Sequence, residues 1–330
     1  MENYTLKKIA PSYKLSQNDS FSLKAELALI PGSPYADFEP FAYAAFEVIR
    51  RLIAKELFNK ILDLRRNIYN EGLLVIENSP VDEHLIPTPL LREWKDVKQS
   101  YISEAMLLGI GQLLGEIYGY RGEKKGALIH NNYPTNSGAG SISNEGSMFV
   151  LPMHNEDIHV FPYSPSFLML SCLREGMGSE VFTYILNIKD VIGELDEYEL
   201  SVLRSKQFYI ESPESFETNS PSSALIPILS GPSETPQVTV EFTDTKGTSR
   251  DARRVLQKFK EVCLASPSLK KLKLKNGDIL ILDNRKTLHG RSNFEANFDG
   301  TDRWCQRIFI KSGDLWDWRG KFTKERVLEF

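Results

Sequence analysis

Apolar residues recur at steps of three and four from Phe46 through Ile49, Ile53, Leu57, Ile61 and Leu64 to Ile68, with Arg50, Arg51, Lys55 and Lys60 between them. That spacing places one apolar stripe on a 3.6-residue helix and predicts a long amphipathic helix that Gly72 stops. LLVIEN (73–78) follows as an apolar run of strand length, and a second helical segment is expected over about 98–118. From 133 to 147 the chain reads YPTNSGAGSISNEGS. No apolar period survives there, which predicts a loop over a site.

Beyond that loop the texture changes to short β-type runs: SMFVLPMHNEDIHVF, SFLMLSCL, SEVFTYI, QFYI, QVTVEF, GDILILDN and RWCQRIFI. Short strands divided by turn signals predict a sandwich or barrel rather than βαβ units, so the fold class is mainly β with flanking helices (α+β). Helices are expected to interrupt the series near 188–205 and 250–264. Residues 211–236, rich in Ser, Pro and Glu, suit a mobile lid better than a core element. Lys270, Lys271, Lys273 and Lys275 alternate with leucines before the Asn276-Gly277 turn and read as the solvated face of a strand. The expected organisation is one catalytic domain: a largely helical flank to about 130, a β core over about 131–312, and a C-terminal extension over 313–330.

Composition narrows the function. The chain has 330 residues, 41% hydrophobic and 25% charged, which excludes disorder, and its net charge of −4 comes from interspersed signs. Nucleic acid and anionic membranes recruit clustered Lys/Arg, so neither is an expected partner and a small molecule is. Cys172, Cys263 and Cys305 are widely spaced among apolar residues, suggesting neither a disulfide framework nor a cysteine metal site. MENYTLKKIAPSYKLS lacks the apolar core of a signal peptide, and no stretch approaches a membrane span; the expected location is cytoplasmic.

Two of the five histidines carry a chemical pattern: His154 in LPMHNEDIHV and His289 in ILDNRKTLHGR. Side chains at i and i+2 of a strand share a face, so His154 and Glu156 would converge. With His289 beside them they would form a 2-His-1-carboxylate set that leaves coordination positions open on iron(II). Arg303 and Arg307 follow His289 by 14 and 18 residues, four apart and able to share a strand face. A guanidinium is the natural partner of a carboxylate; a 2-oxoglutarate-using oxygenase needs one for the distal carboxylate, and an amino-acid substrate needs another.

Together MHNED, KNGDILILDNRKTLHGR and FDGTDRW followed by Arg307 resemble the clavaminate synthase-like family of Fe(II)/2-oxoglutarate oxygenases, especially its hydroxylases of free arginine, lysine and asparagine. The resemblance implies a double-stranded β-helix, or jelly roll. It also implies Fe(II), with 2-oxoglutarate and O2 as cosubstrates, held by His154, Glu156 and His289. Arg303 would meet the 2-oxoglutarate 5-carboxylate and Thr183 would also touch it. Arg307 would hold the substrate α-carboxylate. Glu214 in the lid and Glu241 in VTVEFTD, with Asp244 its neighbour, occupy places where relatives clamp a basic side chain. Glu123 lies where relatives contact the substrate. The arginine hydroxylases carry a closely spaced Asp pair where this chain has Val240-Glu241-Phe242-Thr243, and a compact ammonium needs only one or two carboxylates. The expected substrate is therefore L-lysine, hydroxylated at C4 in preference to C3 with release of succinate and CO2, and L-arginine second.

Other readings remain. Two histidines and a glutamate also describe a catalytic zinc hydrolase, although Arg303 would then have no purpose. A halogenase needs the position Glu156 fills, and a binding module is expected to have lost a ligand. His159, three residues past Glu156, would face away on a regular strand and reads as structural, as do His84 and His130. Phe294 and Trp304 read as core, and a surface ion pair with Asp299 or Asp302 is the alternative for Arg303.

Overall fold

The computed structural model describes residues 12–90, 98–176, 178, 180–213, 216–218 and 221–330. Strand β1 (Ser12–Lys14) precedes helices α1 (Gln17–Leu27), α2 (Phe38–Leu52) and α3 (Lys55–Arg66), and β2 (Leu73–Glu77) leads to α4 (Ile102–Leu114). Next come β3 (Glu116–Tyr120), β4 (His130–Asn132), β5 (Leu151–His154), β6 (Phe167–Arg174), β7 (Thr183–Asn187) and α5 (Glu197–Leu203). Then β8 (Phe208–Ile210), β9 (Leu229–Ser230), β10 (Gln237–Val238) and β11 (Thr245–Gly247) lead to α6 (Arg250–Ala265). The series ends with β12 (Lys270–Leu272), β13 (Ile279–Asp283), β14 (Thr287–Arg291), β15 (Trp304–Lys311) and β16 (Val327–Leu328).

The larger sheet runs β1-β2-β13-β6-β15-β3-β16, with β4 also paired to β15, and the smaller runs β12-β7-β14-β5. Their inner faces meet, as Ile185 of β7 packs in one cluster with Leu168, Leu280 and Phe309 of the larger sheet. This is the jelly roll the sequence leads one to expect. Alternation decides the layers: Ile279, Ile281, Ile308 and Ile310 face helices α1–α4, whereas Leu280, Leu282, Cys305 and Phe309 face the inside. Burying each large aliphatic side chain contributes about 1.5–3 kcal/mol, so a one-residue slip, which would reverse every one of them, is strongly disfavoured. On the far side of the smaller sheet, Leu186 and Leu288 pack with Val255, Phe259 and Cys263 of α6, a helix started by Ser249, whose hydroxyl accepts from the Ala252 N–H.

Three helix expectations need correction. The long helix from Phe46 is two helices, broken at Ile53, whose backbone is extended (φ −64°, ψ 135°), and Ile68 lies beyond them, exposed. The apolar phase runs unbroken through the bend, so periodicity is blind to it. Tertiary packing demands it: α2 lies so close to α4 that a Cβ on Gly109 would sit 2.4 Å from Ile49 Cγ1, while α3 turns to cover β2. The segment predicted over 98–118 is helical only to Leu114. At Gly115 the backbone passes the Lys311 carbonyl so closely that a Cβ would lie 2.0 Å from its oxygen, and Glu116–Tyr120 becomes a strand against β15. Near 188–205 only Glu197–Leu203 is α-helical, started by a capping box of Asp196 and Glu199.

The 211–236 segment also differs from a loose strap. Phe216, Ile226, Ile228 and Leu229 are buried, and Ile226 and Ile228 donate backbone hydrogen bonds to Phe208 and Leu203. Its polar composition conceals four apolar anchors. Among the described residues no helix is long and apolar enough to cross a membrane.

Candidate active site

Strands β14 and β5 pair so that His289 and His154 are cross-strand partners, and residues directly opposite in an antiparallel pair share a face. Their rings lie 4.3 Å apart between centroids. Strand β5 ends at His154, so Glu156 reaches the same point from the turn that follows rather than from a continuing strand. One ligand atom from each of His154, Glu156 and His289 lies within 4.8 Å of the others, and among the described residues no other such cluster occurs. His154 Nδ1 donates to the Pro152 carbonyl at 2.7 Å, which leaves Nε2 with its lone pair for a metal. Burial, reinforced by His154, lowers the His289 titration to about 4 and keeps that ring neutral. Burial pushes Glu156 up, but Arg307 and then the His289 hydrogen bond overcome this and hold it well below the carboxylate range. Two neutral imidazoles and one carboxylate are the protonation states a divalent metal requires.

The turn is held by two asparagines. Asn155 donates from Nδ2 to the carbonyls of Asn284 and Thr287 and accepts from the Val240 N–H, while Asn284 accepts from the Glu156 N–H and donates to the Glu156 and Pro165 carbonyls. These bonds tie both sides of the site to one another. Gly290, next to His289, stands where a Cβ would meet the Leu151 carbonyl at 2.8 Å, so only glycine allows β14 and β5 this approach.

Arg303 is buried at the start of β15 on the same side as Cys305 and Arg307, and it has no hydrogen bond or ion pair among the described residues. The two acids that could neutralise it, buried Asp302 and exposed Asp299, are engaged elsewhere. Asp302 accepts from the backbone N–H groups of Asn297 and Phe298, and Asp299 accepts from Thr301. A second buried guanidinium, Arg291, stands near: burial and then the charge of Arg303 lower its titration to about 10. Arg291 donates to the Gly146 carbonyl at 2.7 Å and so braces the 133–147 loop. Thr183 is the register partner of Arg291, two residues before Ile185, which is opposite His289; it therefore lies on the inner face beside this cationic pocket.

Arg307, only 1% exposed, bonds Glu156 Oε1 at 2.7 Å, Glu123, and the Nδ1 of His130 at 2.7 Å. His130 in turn donates from Nε2 to the Ala127 carbonyl, so its Nδ1 is the acceptor. Burial raises Glu123, yet Arg307 and His130 prevail and hold it at about 2. Around this knot Glu123 Oε2, Asp157 Oδ2, His159 Nε2 and Arg307 Nε are buried with no partner. Glu241 is placed by an isolated bridge to His154, and it and Asp244 are hydrogen-bonded carboxyls. Burial, opposed by His154 and aided by Asp244, raises Glu241 to about 7. Glu214 lies outside the described residues.

Residues 228–309 match the family described as taurine catabolism dioxygenase TauD, TfdA family. L-asparagine oxygenase of Streptomyces coelicolor is 30% identical over 247 residues, covering 74% of this chain and 73% of that protein. The chain belongs to the clavaminate synthase-like Fe(II)/2-oxoglutarate oxygenases. L-lysine 3-hydroxylase of Catenulispora acidiphila is 28% identical over 275 residues, 81% of this chain and 73% of that one. A crystal structure of asparagine oxygenase with Fe(II), 2S,3S-3-hydroxyasparagine and succinate superposes with a TM-score of 0.85 at 28% identity, covering 96% of this chain and 98% of that chain.

Within this oxygenase fold the structure brings His154, Glu156, His289, Arg303, Arg307, Thr183, Glu123 and Glu241 to one interior. Sequence reasoning missed four residues that organise it. Asn155 and Asn284 lie inside the quoted motifs with no ligand pattern of their own, and Arg291 follows His289 by two, the same-face spacing that signals it. His130 gave no local signal, because its role depends on β4 meeting β15 opposite Arg307. His159 stands in a short 3-10 turn, not a strand, so the alternation that turned it away from the metal does not apply.

Proposed function

We propose that this protein is an Fe(II)/2-oxoglutarate-dependent hydroxylase of a free amino acid with a cationic side chain, L-lysine first and L-arginine second. The observation that carries it is the division of charge about His154, Glu156 and His289: unneutralised guanidinium at Arg303 on one side, and the Glu241–Asp244 carboxyl pair on the other. The zinc-hydrolase alternative draws no support, since a hydrolase has no use for Arg303 and the relatives named above are oxygenases or hydroxylases.

In this reading His154, Glu156 and His289 hold the iron, which when bound supplies oxygen activation coupled to decarboxylation of 2-oxoglutarate, yielding succinate and CO2. Arg303 receives the 5-carboxylate of 2-oxoglutarate, with Arg291 adding field and Thr183 a hydroxyl. Four unpartnered polar atoms match an amino-acid head group: the Glu123 carboxylate oxygen and the Asp157 carboxyl oxygen suit an ammonium, and N–H groups suit a carboxylate, with Arg307 its main partner. The Glu241–Asp244 pair faces the side chain. A cation there favours the ionised form of Glu241, which burial and then Asp244 disfavour. The protein's contribution is placement, fixing one substrate carbon toward the metal while both head-group charges are held. The two relatives' products or activities named above are at carbon 3, which we place ahead of the carbon 4 expected from the sequence resemblance.

The test is anaerobically iron-loaded protein given 2-oxoglutarate, air and each common L-amino acid in turn, read by mass for gain of one oxygen. A hydroxylated basic amino acid is the expected product. Turnover of L-asparagine alone would overturn the cationic-substrate reading and leave the oxygenase standing.

A further inference from the structure

His159 is 7% exposed, and its Nε2 is buried with no hydrogen-bond partner. Leaving a polar nitrogen unsatisfied forfeits its hydration without return, so an orphan of this kind points to a partner that arrives from outside. The ring is held from above by Phe216, edge-on, with centroids 4.3 Å apart. Phe216 belongs to the 211–236 segment and is seated by the Glu217 N–H, which donates to the Gly122 carbonyl at 2.8 Å. A Cβ on Gly122 would lie 2.7 Å from that phenyl ring, so Gly122 leaves the space Phe216 fills. Below, the imidazole feels the carboxylates of Glu123 and Glu156. Phe216 packs both on this ring and against Gly122, the residue before Glu123. His159 therefore stands at the head-group end of the site, not the side-chain end.

Its protonation fits a neutral donor. Burial lowers its titration to about 4, with Glu123 and Glu156 only partly opposing this, so at neutral pH the ring is uncharged. A neutral imidazole beside two carboxylates can offer one N–H to an anion without adding a charge to the site.

Resting on the reading above, we infer that His159 is a specificity-determining residue whose Nε2–H donates to the α-carboxylate of the amino-acid substrate, alongside Arg307. The contact favours a free carboxylate over an amide or ester, because a hydrogen bond to an ionised acceptor is the stronger, and because Phe216 packs on the same ring, it ties head-group recognition to the seating of Phe216.

The experiment measures amino-acid binding by calorimetry on the anaerobic Fe(II)- and 2-oxoglutarate-loaded protein, using whichever amino acid the wild type turns over and its carboxamide. His159→Phe keeps the ring against Phe216 and removes the donor; His159→Gln restores an N–H. A hydrogen bond to a charged group corresponds to about a tenfold to hundredfold change in affinity. His159→Phe is expected to weaken the free acid by at least about tenfold and the carboxamide clearly less, with the thermal midpoint at or above the wild-type value and 2-oxoglutarate affinity unchanged, and with His159→Gln recovering most of the loss. Wild-type affinity for the free acid in a folded His159→Phe protein overturns the inference alone, as does an equal loss for acid and carboxamide. Absence of any amino-acid binding by the wild type overturns both it and the hydroxylase reading.

Discussion

Arg307 Nη1 stands 2.7 Å from Glu156 Oε1, so the guanidinium assigned to the substrate's carboxylate already grips the carboxylate assigned to the metal. Breaking a buried pair by deleting one partner leaves a charge uncompensated, which costs about 3–5 kcal/mol. Arg307→Met is expected to lower the urea midpoint of the metal-free protein by a corresponding amount and to weaken Fe(II) binding as well. A variant with unchanged stability would mean that Glu156 is held by something other than Arg307.

Metal binding should depend on all three residues at the β5–β14 junction. His154→Ala, Glu156→Gln and His289→Ala are each expected to abolish the thermal stabilisation that Fe(II) gives the wild type, while His84→Ala retains it. Chelation should return the wild type to its metal-free midpoint. Retained Fe(II) binding and full turnover in His154→Ala would remove that residue from the site.

Arg303 should separate one substrate from the other. Arg303→Met removes the unneutralised guanidinium, and the KM for 2-oxoglutarate is expected to rise about tenfold to hundredfold, as loss of a charge-assisted pair implies. The affinity for the amino acid should stay within about twofold, since Arg307 serves that end. Equal effects on both would show that Arg303 supports the barrel rather than the 5-carboxylate.

Glu241→Gln keeps the shape of the side-chain end and removes a charge. It is expected to lower kcat/KM for a basic amino acid by at least about tenfold. Steady-state kinetics with L-lysine, L-arginine and L-asparagine checks this, and uniform loss across all three would show a structural effect only.

The pH dependence of the metal-free protein carries opposite signs at two places. His289 and His159 titrate at about 4 in the folded chain against 6.5 for free histidine. Between those values the unfolded chain binds more protons, so their contribution is complete above pH 6.5 and is lost as pH falls toward 4. Glu241 titrates at about 7 against 4.5, so its contribution is complete below pH 4.5 and is lost as pH rises toward 7. Urea midpoints across this range should therefore show a shallower acid-side fall in His159→Phe and a gain on the neutral side in Glu241→Gln.

Much of the site was legible because its residues stand in short motifs that β-geometry reads directly. His154 and Glu156 are two apart, although the turn after β5 and not strand alternation brings Glu156 to the metal, and Arg303, just before β15, lies on the side of Cys305 and Arg307 as a spacing of four allows. Loss of legibility begins where two distant segments decide the outcome. His130 acquires its role only through the β4–β15 register, and the bend at Ile53 follows from how α2 meets Gly109 of α4, neither of which leaves a local trace. The 211–236 segment misled by composition, since Phe216, Ile226, Ile228 and Leu229 are few but all are buried.

The pairing of His289 with His154 has a consequence for how such an enzyme can change. One residue inserted within Thr287–Arg291 would turn His289 outward and bring a leucine inward, so the oxidising centre is inherited as a register and tolerates no drift. The loops that connect the intervening strands are under no such restraint. Segments there, 211–236 among them, can be lengthened or exchanged while the two histidines stay opposite each other, which lets new substrates be tried on an unaltered reaction.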